Sequence, residues 1–141
     1  MVSKNTTHLA GEFLVAGELA RRGYPVSITL GNAKSVDIYA ETQNGRIKVD
    51  AKAGRTKSNW PIGETTHIEK DVYYIFVYLQ SLNKIRENVA PEYFVVYGKE
   101  IIDNELIREW AGGRRGVTYR SLNTHDYVQR WDKLGLPSKQ L

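Results

Sequence analysis

Two acidic residues and one lysine lie in two segments whose pattern is typical of a β-hairpin. Asp37 is in the first segment, residues 35–41, and Asp50 and Lys52 are in the second, residues 46–53. The Asn-Gly dipeptide between them favours a tight turn. Residues two apart on a strand share a face, about 6.5–7 Å apart, so Asp50 and Lys52 project side by side. The hairpin can bring Asp37 next to them. Such a group can hold a metal ion and handle a proton.

The composition is that of an ordinary globular protein. The chain has 141 residues, of which 41% are hydrophobic and 26% charged, so one domain with a single core is expected over residues 1–141. The formal net charge of +4 and the pI of about 9.3 are compatible with a polyanionic partner and do not require one. Because the chain lacks cysteine, disulfides, zinc–thiolate sites and a cysteine nucleophile are excluded.

The sequence indicates neither a signal peptide nor a membrane span. Residues 1–5 are not followed by the apolar core of a signal peptide. The longest apolar run, Val72–Leu79, is far shorter than the roughly 20 residues that a membrane helix needs. We therefore expect a cytoplasmic protein with no membrane partner.

The order of apolar segments and breakers predicts an α/β fold, bordering on α+β, with a central mixed sheet of about four to five strands flanked by helices. The expected helices run from an N-cap at Thr6 or Thr7 to Arg22, from Asp103 to Trp110, and from Asn123 or Thr124 to Leu134. Besides the hairpin, the expected strands are Val26–Leu30, Val72–Leu79, Tyr93–Tyr97 and Val117–Arg120, with a break at Gly31–Lys34 and a polar loop at Gly54–Glu69. The unbroken apolar run at Val72–Leu79 predicts a central strand that is covered on both faces.

Glu12 is out of place in the first helix. At about 100° per residue, one face of this helix is apolar, and its members are Leu9, Phe13, Ala16, Gly17 and Ala20, widened by Leu19. Glu12 falls within this arc. An ionised carboxylate among core-facing side chains is costly unless it is paired or coordinates a cation. Glu12 is therefore either a border residue paired with a cation or a third acidic ligand, and the periodicity does not decide between the two.

Together these residues resemble the PD-(D/E)XK nuclease superfamily. The resemblance is carried by a helix acid, a strand acid and an Asp-x-Lys segment, namely Glu12, Asp37, Asp50 and Lys52. It covers about residues 8–57, and the distance from Glu12 to Gly23 resembles that in archaeal Holliday-junction resolvases and related small stand-alone nucleases. Val36 precedes Asp37 where the family name has proline, and Asp50 stands where glutamate is more frequent.

The resemblance implies a restriction-endonuclease-like core and a Mg²⁺-dependent endonuclease that hydrolyses phosphodiester bonds of DNA. Mn²⁺ is a possible substitute for the metal, and RNA is not excluded as substrate. The implied metal ligands are Asp37, Asp50 and the carbonyl of Ala51, with Glu12 binding a second metal or positioning a water. Lys52 is implied to orient the nucleophile or to stabilise the developing negative charge. With one site per chain, a homodimer or higher homo-oligomer is expected.

Several basic and aromatic residues are candidates for contacting nucleic acid. Arg55, Lys57 and Trp60 follow the Asp-x-Lys segment, where a loop can meet a phosphate backbone. Trp60 can either stack on a base or anchor the loop by packing. Arg114 and Arg115 belong to the densest basic cluster, which is interpreted equally well as a phosphate site or as a solvated loop.

Two other classes of protein fit the same sequence. A catalytically silent nuclease-fold module would bind nucleic acid without cutting it, although carboxylates clustered next to phosphate disfavour this interpretation. In a protein-interaction or immunity-type α/β domain, Lys48, Asp50 and Lys52 would be an ordinary solvated strand face. Affinity for Mg²⁺ or Mn²⁺ at Asp37 and Asp50 distinguishes the nuclease from the interaction domain.

Overall fold

One long helix precedes five consecutive strands, and short helices and strands then follow in the second half of the chain. The computed structural model describes residues 2–30, 36–63 and 66–139, and the expected break at Gly31–Lys34 lies outside them. Within the described residues the strands are β1 Val26–Leu30, β2 Val36–Thr42, β3 Gly45–Gly54, β4 Asn59–Ile62, β5 Tyr73–Tyr78, β6 Glu92–Tyr97, β7 Ile107–Trp110 and β8 Arg114–Thr118. The helices are α1 Lys4–Arg21, α2 Leu82–Arg86, α3 Gly98–Asp103 and α4 Tyr119–Leu122, and a 3₁₀ helix spans Trp131–Leu134. None of the helices in this part of the chain is long and apolar enough to cross a membrane.

Five of these strands form a mixed sheet in the order β1-β2-β3-β5-β6. Strands β3 and β5 are parallel, and the other neighbouring pairs are antiparallel. A parallel pair needs a crossover connection, which here is the segment between Gly54 and Tyr73 that contains β4. Helix α1 packs against β3, and α3 packs against β6. The expected α/β fold, with a mixed sheet flanked by helices, is therefore confirmed.

Strand β5 is covered on both faces. Ile75 and Val77 lie in one core cluster together with apolar residues of α1. Phe76 projects to the opposite face and lies in a second cluster, which includes Trp60 and Val117. Because side chains alternate along a strand, a strand buried on both faces needs apolar residues at successive positions. The prediction of a central strand within residues 72–79 is confirmed.

A second, smaller sheet has the strand order β4-β8-β7, and both pairs are antiparallel. Its residues Trp60 and Val117 belong to the second core cluster, so this sheet covers the face of the large sheet that α1 does not cover. The turn of the β7–β8 hairpin contains Gly112 and Gly113, whose φ angles of 82° and 75° are readily adopted only by glycine. Strand β8 begins at Arg114, earlier than the predicted strand Val117–Arg120.

The chain beyond β3 contains three further differences from the prediction. The segment Gly54–Glu69, expected to be a loop, includes strand β4, in which the side chain of Trp60 packs in the core. The prediction of a helix from Asp103 to Trp110 is wrong. Asp103 ends α3, and Ile107–Trp110 forms β7, which pairs with β8. The expected helix to Leu134 is reduced to the short 3₁₀ helix. In each case long-range packing or strand pairing outweighs the local capping signals.

Helix α1 begins earlier than predicted and presents a different face to the sheet. Its N-cap is Ser3, whose Oγ accepts a hydrogen bond from the Thr6 N–H, rather than Thr6 or Thr7. The helix ends at Arg21, and Gly23 follows with a φ of 97°, as predicted. Its buried residues are Gly11, Glu12, Val15, Ala16 and Leu19. Leu9 and Phe13, which were expected in the core, are 46% and 56% exposed.

Gly11 explains the orientation of α1. It faces β3 so closely that a methyl group on its Cα would overlap with the side chain of Ala53. A helix approaches a strand this closely only where no side chain separates the two backbones, so Gly11 lies at the contact and Glu12 and Val15 lie beside it. Phe13 is consequently turned towards solvent.

Two glycines of α1 give a matched test of this packing. Gly11→Ala should lower the free energy of unfolding by roughly 1–2 kcal/mol, because the overlap with Ala53 exceeds the gain in helix propensity. Gly17→Ala should raise it by about 0.5–1 kcal/mol, because Gly17 is exposed and nothing lies within 4 Å of an added Cβ. Urea unfolding followed by circular dichroism measures both. Equal stabilisation by the two substitutions would show that α1 does not approach β3 at Gly11.

Candidate functional site

The β2–β3 hairpin brings Asp37 and Asp50 to the same level of the large sheet. Its antiparallel ladder pairs Ile38 with Val49, so Asp37 and Asp50 occupy the next positions along it. The described pairing of β2 with β3 stops at Ile38 and Val49, whereas β3 continues beside β5 as far as Gly54. Asp50 thus lies at the point where β3 stops pairing with β2 in the described register while it continues to pair with β5.

A cavity of about 170 Å³ lies over this point. The residues that line it come from α1, β2 and β3, and they are His8, Glu12, Val36, Asp37, Lys48, Val49, Asp50, Ala51 and Lys52. At about 30 Å³ per water molecule, the cavity has room for roughly five waters and is too small for a nucleotide. All of the predicted catalytic and metal-binding residues therefore meet at one small polar cavity.

Two lysines accompany the two aspartates. Lys52 Nζ lies 3.4 Å from Asp50 Oδ1, and Lys48 Nζ lies 3.9 Å from Asp37 Oδ1. The aspartate side chains are 40% and 37% exposed, and the Lys52 side chain is 22% exposed. Ion pairs in contact with solvent contribute only about 0–1 kcal/mol each. The stability of the fold therefore gives little physical reason for four charges at this position.

Glu12 lies behind the aspartates and is almost completely buried, with 4% exposure. Its Oε2 accepts a hydrogen bond of 2.9 Å from the backbone N–H of Val36. Its Oε1 is buried, has no hydrogen-bond partner among the described residues, and lies 3.8 Å from Nε2 of His8. Glu12 therefore lies in the interior, and within the described residues only one of its two carboxylate oxygens accepts a hydrogen bond.

The surroundings of Glu12 disfavour its ionised form. Burial raises the pKa of Glu12, and the negative charges of Asp50 and Asp37 raise it further. The Val36 N–H and the neighbouring His8 act in the opposite direction, although they do not cancel the effect of burial. Glu12 therefore keeps its proton to a higher pH than an ordinary glutamate does.

The site provides oxygen donors suited to a hard cation. Carboxylate oxygens are the ligands that Mg²⁺ prefers, and Mg²⁺ usually keeps several waters when bound by one or two carboxylates. Among the described residues, no three His, Asp or Glu side chains are close enough together to bind one ion. Asp37 and Asp50, with the partnerless Oε1 of Glu12 behind them, fit an ion that is held largely through water.

Among the predicted nucleic-acid contacts, Arg55 and Lys57 leave the end of β3. Arg55 is partly buried, and its Nε donates a hydrogen bond of 3.1 Å to Thr7 Oγ1 at the start of α1. Lys57 is exposed, and its Nζ lies 5.7 Å from the ring of Tyr78 and 5.3 Å from that of Tyr119. Lys57 is thus available to a phosphate, whereas Arg55 connects β3 to α1.

The other three predicted contacts lie on the small sheet. Trp60 is 2% exposed, and its Nε1 donates a hydrogen bond to the carbonyl of Val77, so it cannot stack on a base and that prediction is wrong. Arg114 is exposed. Arg115 is partly buried and donates a hydrogen bond of 3.3 Å from Nη1 to the carbonyl of Gly63. Only Arg114 of these three presents a largely solvated side chain.

Sequence reasoning did not assign two contributors to this cavity. Lys48 was interpreted only as part of a charged strand face, although its spacing from Asp50 and Lys52 could have placed it at the site. The backbone N–H of Val36 gave no signal at all, since its contact with Glu12 joins residues of two distant elements.

No protein-family model, curated protein or solved structure matches this chain significantly. The interpretation of the site therefore rests on the residues and geometry described above.

The raised pKa of Glu12 predicts the pH dependence of stability. Because Glu12 ionises less readily in the folded chain, the folded state loses stability as the pH rises above 4.5, the ordinary glutamate value, through the raised pKa. Glu12→Gln, measured in EDTA, should therefore be more stable than wild type at pH 8, and the difference should shrink towards pH 4.5. Thermal unfolding across this pH range is the measurement.

Glu18→Gln on the same helix is the matched control with the opposite sign. The pKa of Glu18 is lowered, first by a hydrogen bond from Arg21 and also by Arg22, so its ionised form stabilises the fold. This variant should be less stable than wild type at pH 8, with a difference that is lost as the pH falls through the lowered pKa. A shift of both variants in the same direction at pH 8 would contradict the assignment for Glu12.

Proposed function

We propose that this chain is a metal-dependent endonuclease that hydrolyses phosphodiester bonds of DNA. The observation that carries the proposal is that Asp37, Asp50 and Lys52 border one small cavity, with the buried carboxylate of Glu12 behind them. The PD-(D/E)XK resemblance of the same residues supports it, and so does a mixed sheet of the kind that a restriction-endonuclease-like core requires.

In this proposal Asp37 and Asp50 hold Mg²⁺, or Mn²⁺ in its place. Ala51 also lines the cavity and is the candidate for a backbone-carbonyl ligand. When bound, the ion polarises a phosphoryl oxygen and lowers the pKa of a coordinated water. The two carboxylates attract the cation and, without it, disfavour a phosphate in the cavity, so cleavage and the close approach of a phosphate to this cavity both depend on the metal.

Lys52 is the proposed catalytic cation. Its Nζ is held 3.4 Å from Asp50 Oδ1 and its side chain remains 22% exposed, so the ammonium can donate hydrogen bonds into the cavity. An ammonium at this position stabilises the charge that develops on phosphate oxygens and orients the attacking water. Lys48 lies farther from its aspartate and is 40% exposed, which suits contact with a neighbouring phosphate.

Glu12 is the proposed positioning residue. The Val36 N–H fixes one carboxylate oxygen, and the second oxygen is left without a hydrogen-bond partner beside the cavity. This second oxygen can accept a hydrogen bond from a water in the cavity. The raised pKa disfavours the ionised form of Glu12, which suits this residue to hold a water rather than to dominate cation binding.

The substrate and assembly follow from the single site. A site of this size hydrolyses one strand at a time, so cutting both strands of a duplex requires a homodimer or two separate nicks. The net charge of +4 is compatible with DNA and equally with RNA.

The first test of the proposed nuclease is DNA cleavage by variants of the cavity residues. Asp37→Asn, Asp50→Asn and Lys52→Ala should each reduce Mg²⁺-dependent cleavage of labelled single-stranded, duplex and four-way-junction DNA by roughly 100-fold or more, because each removes charge stabilisation in the transition state. Initial rates are measured with Mg²⁺, with Mn²⁺ and with EDTA.

Arg46→Ala is the matched control for this experiment. Arg46 lies on the same strand and forms an exposed ion pair with Glu41, so its removal should leave the cleavage rate within about twofold. Equal rates for wild type and Asp50→Asn would assign the activity to another site or to a contaminant. Tight DNA binding without cleavage on any substrate would favour the catalytically silent module instead.

The second test of the proposed nuclease is metal binding without DNA. Mg²⁺ or Mn²⁺ should raise the Tm of the wild-type chain, because a ligand that binds only the folded state stabilises it, by about 2.7 kcal/mol at 100 times the Kd. The Asp37→Asn, Asp50→Asn double variant should show no such shift. The absence of any shift in wild type with either ion would contradict the nuclease and favour the interaction domain.

A further inference from the structure

The small sheet has an outer face that is turned away from the core. Ile107 and Val117 pair across β7 and β8, and they lie on the inner face against the second core cluster. Because side chains alternate along each strand, Arg108, Trp110 and Arg114 project from the outer face. Trp110 and Arg114 are directly opposite each other in the register.

Trp110 is a large apolar side chain left partly in solvent. It is 39% exposed. Its ring lies over Gly116, with Cζ3 3.2 Å from the position that a Cβ of Gly116 would occupy. The absence of a side chain at Gly116 thus lets the indole rest on the strand while part of its surface stays open. An exposed aromatic residue supported in this way is typical of contact surfaces rather than of solvated sheets.

Trp110 forms a wall that is shared by two grooves, with volumes of about 710 and 690 Å³. The described residues that line these grooves include no Asp or Glu and four arginines, namely Arg108, Arg114, Arg115 and Arg120. Within the described part of the chain, the guanidinium groups of Arg108, Arg114 and Arg120 form no ion pair. Arg115, by contrast, forms an ion pair with Glu109. The outer face therefore carries positive charge from Arg108, Arg114 and Arg120 that the described residues do not neutralise.

We propose that this outer face binds single-stranded DNA. Trp110 stacks on an unpaired base, and Arg108, Arg114 and Arg120 contact the phosphates on either side. The choice of DNA rests on the proposed nuclease function. Exposed aromatic rings set among cations are how proteins bind single strands without reading their sequence.

The position of the face suits a strand that also enters the catalytic cavity. Ser58 lines both grooves, and only residues 53–57 separate it from Lys52 along the chain. At a maximum of about 3.6 Å per residue, Lys52 and Ser58 are at most about 22 Å apart. Lys57, which is exposed, lies on this connection. A few nucleotides therefore span the distance.

A single strand fits the face better than a duplex does. In a duplex the bases are stacked on one another and cannot stack on an indole. Duplex DNA would therefore contact the arginines through its phosphates and make no stacking contact with Trp110. An acidic protein surface would satisfy the arginines as well, although it offers no flat ring for stacking. The experiment below separates these three occupants.

The test is fluorescence anisotropy of a labelled oligothymidine with the full chain in EDTA, where cleavage plays no part. Trp110→Ala should weaken binding roughly tenfold, and Trp110→Phe should retain most of the affinity because its ring still stacks. Arg108→Ala combined with Arg114→Ala should reduce the slope of log affinity against log salt by about 0.7 for each lost phosphate contact. Arg86→Ala, an exposed arginine on α2, is the control and should bind as wild type does.

Several results would overturn the proposal. One is a folded Trp110→Ala variant that binds oligothymidine as tightly as wild type does. Another is an equal loss of affinity for blunt duplex DNA in Trp110→Ala. A third is competition by polyglutamate that displaces oligothymidine as effectively as unlabelled oligothymidine does. Either result would indicate a surface that binds anions nonspecifically. If Trp110→Ala fails to fold, the arginine double variant decides, since both of its side chains are exposed and unpaired.

The outcome is independent of that for the catalytic cavity. Binding that depends on Trp110, together with cleavage that is indifferent to Asp50, would remove the proposed nuclease site and leave this surface. Cleavage that depends on Asp50, together with binding indifferent to Trp110, would remove this surface alone.

Discussion

Helix α1 approaches strand β3 closely at Gly11, where no side chain separates the helix from Ala53. This contact fixes the rotation of α1 about its axis. It turns Glu12, the next residue, towards Val36 at the start of β2. There Glu12 accepts the hydrogen bond of the Val36 N–H, directly before Asp37 in the chain. The relative positions of the three carboxylates thus depend on one contact between a glycine and an alanine. A bulkier residue at either position would separate Glu12 from the aspartates without changing any charged group.

The electrostatics of the cavity follow from that packing. Glu12 is held in an environment that raises its pKa, while Asp37 and Asp50 remain half exposed beside Lys48 and Lys52. A carboxylate oxygen that is buried without a partner costs stability, and proteins tend to retain such groups where function needs them. The cavity therefore combines one costly interior acid with two solvated acids, which is an arrangement that a purely structural charged face does not require.

The two sheets of the protein present different side chains to solvent. The large sheet holds the acidic residues, and the small sheet presents Trp110 and the unpaired arginines on its outer face. Trp60 joins the sheets, since its ring packs edge-to-face against Phe76 and its Nε1 donates a hydrogen bond to Val77. The strand that carries Trp60 directly follows Ser58, which lines both grooves, so the packing of Trp60 in the core helps to set the position of the grooves.

The acidic hairpin and the central strand could be predicted from the sequence, because turn chemistry and unbroken apolar runs are local properties. The sequence also determined that Asp50 and Lys52 share a face. Long-range packing, which no local pattern reports, buries Trp60, leaves Trp110 exposed and makes residues 107–110 a strand rather than a helix. Local capping signals favoured the helix, and pairing with β8 outweighed them. Which side of α1 faces the sheet was likewise decided by the close fit of Gly11 against Ala53, a contact between distant residues that no local pattern records.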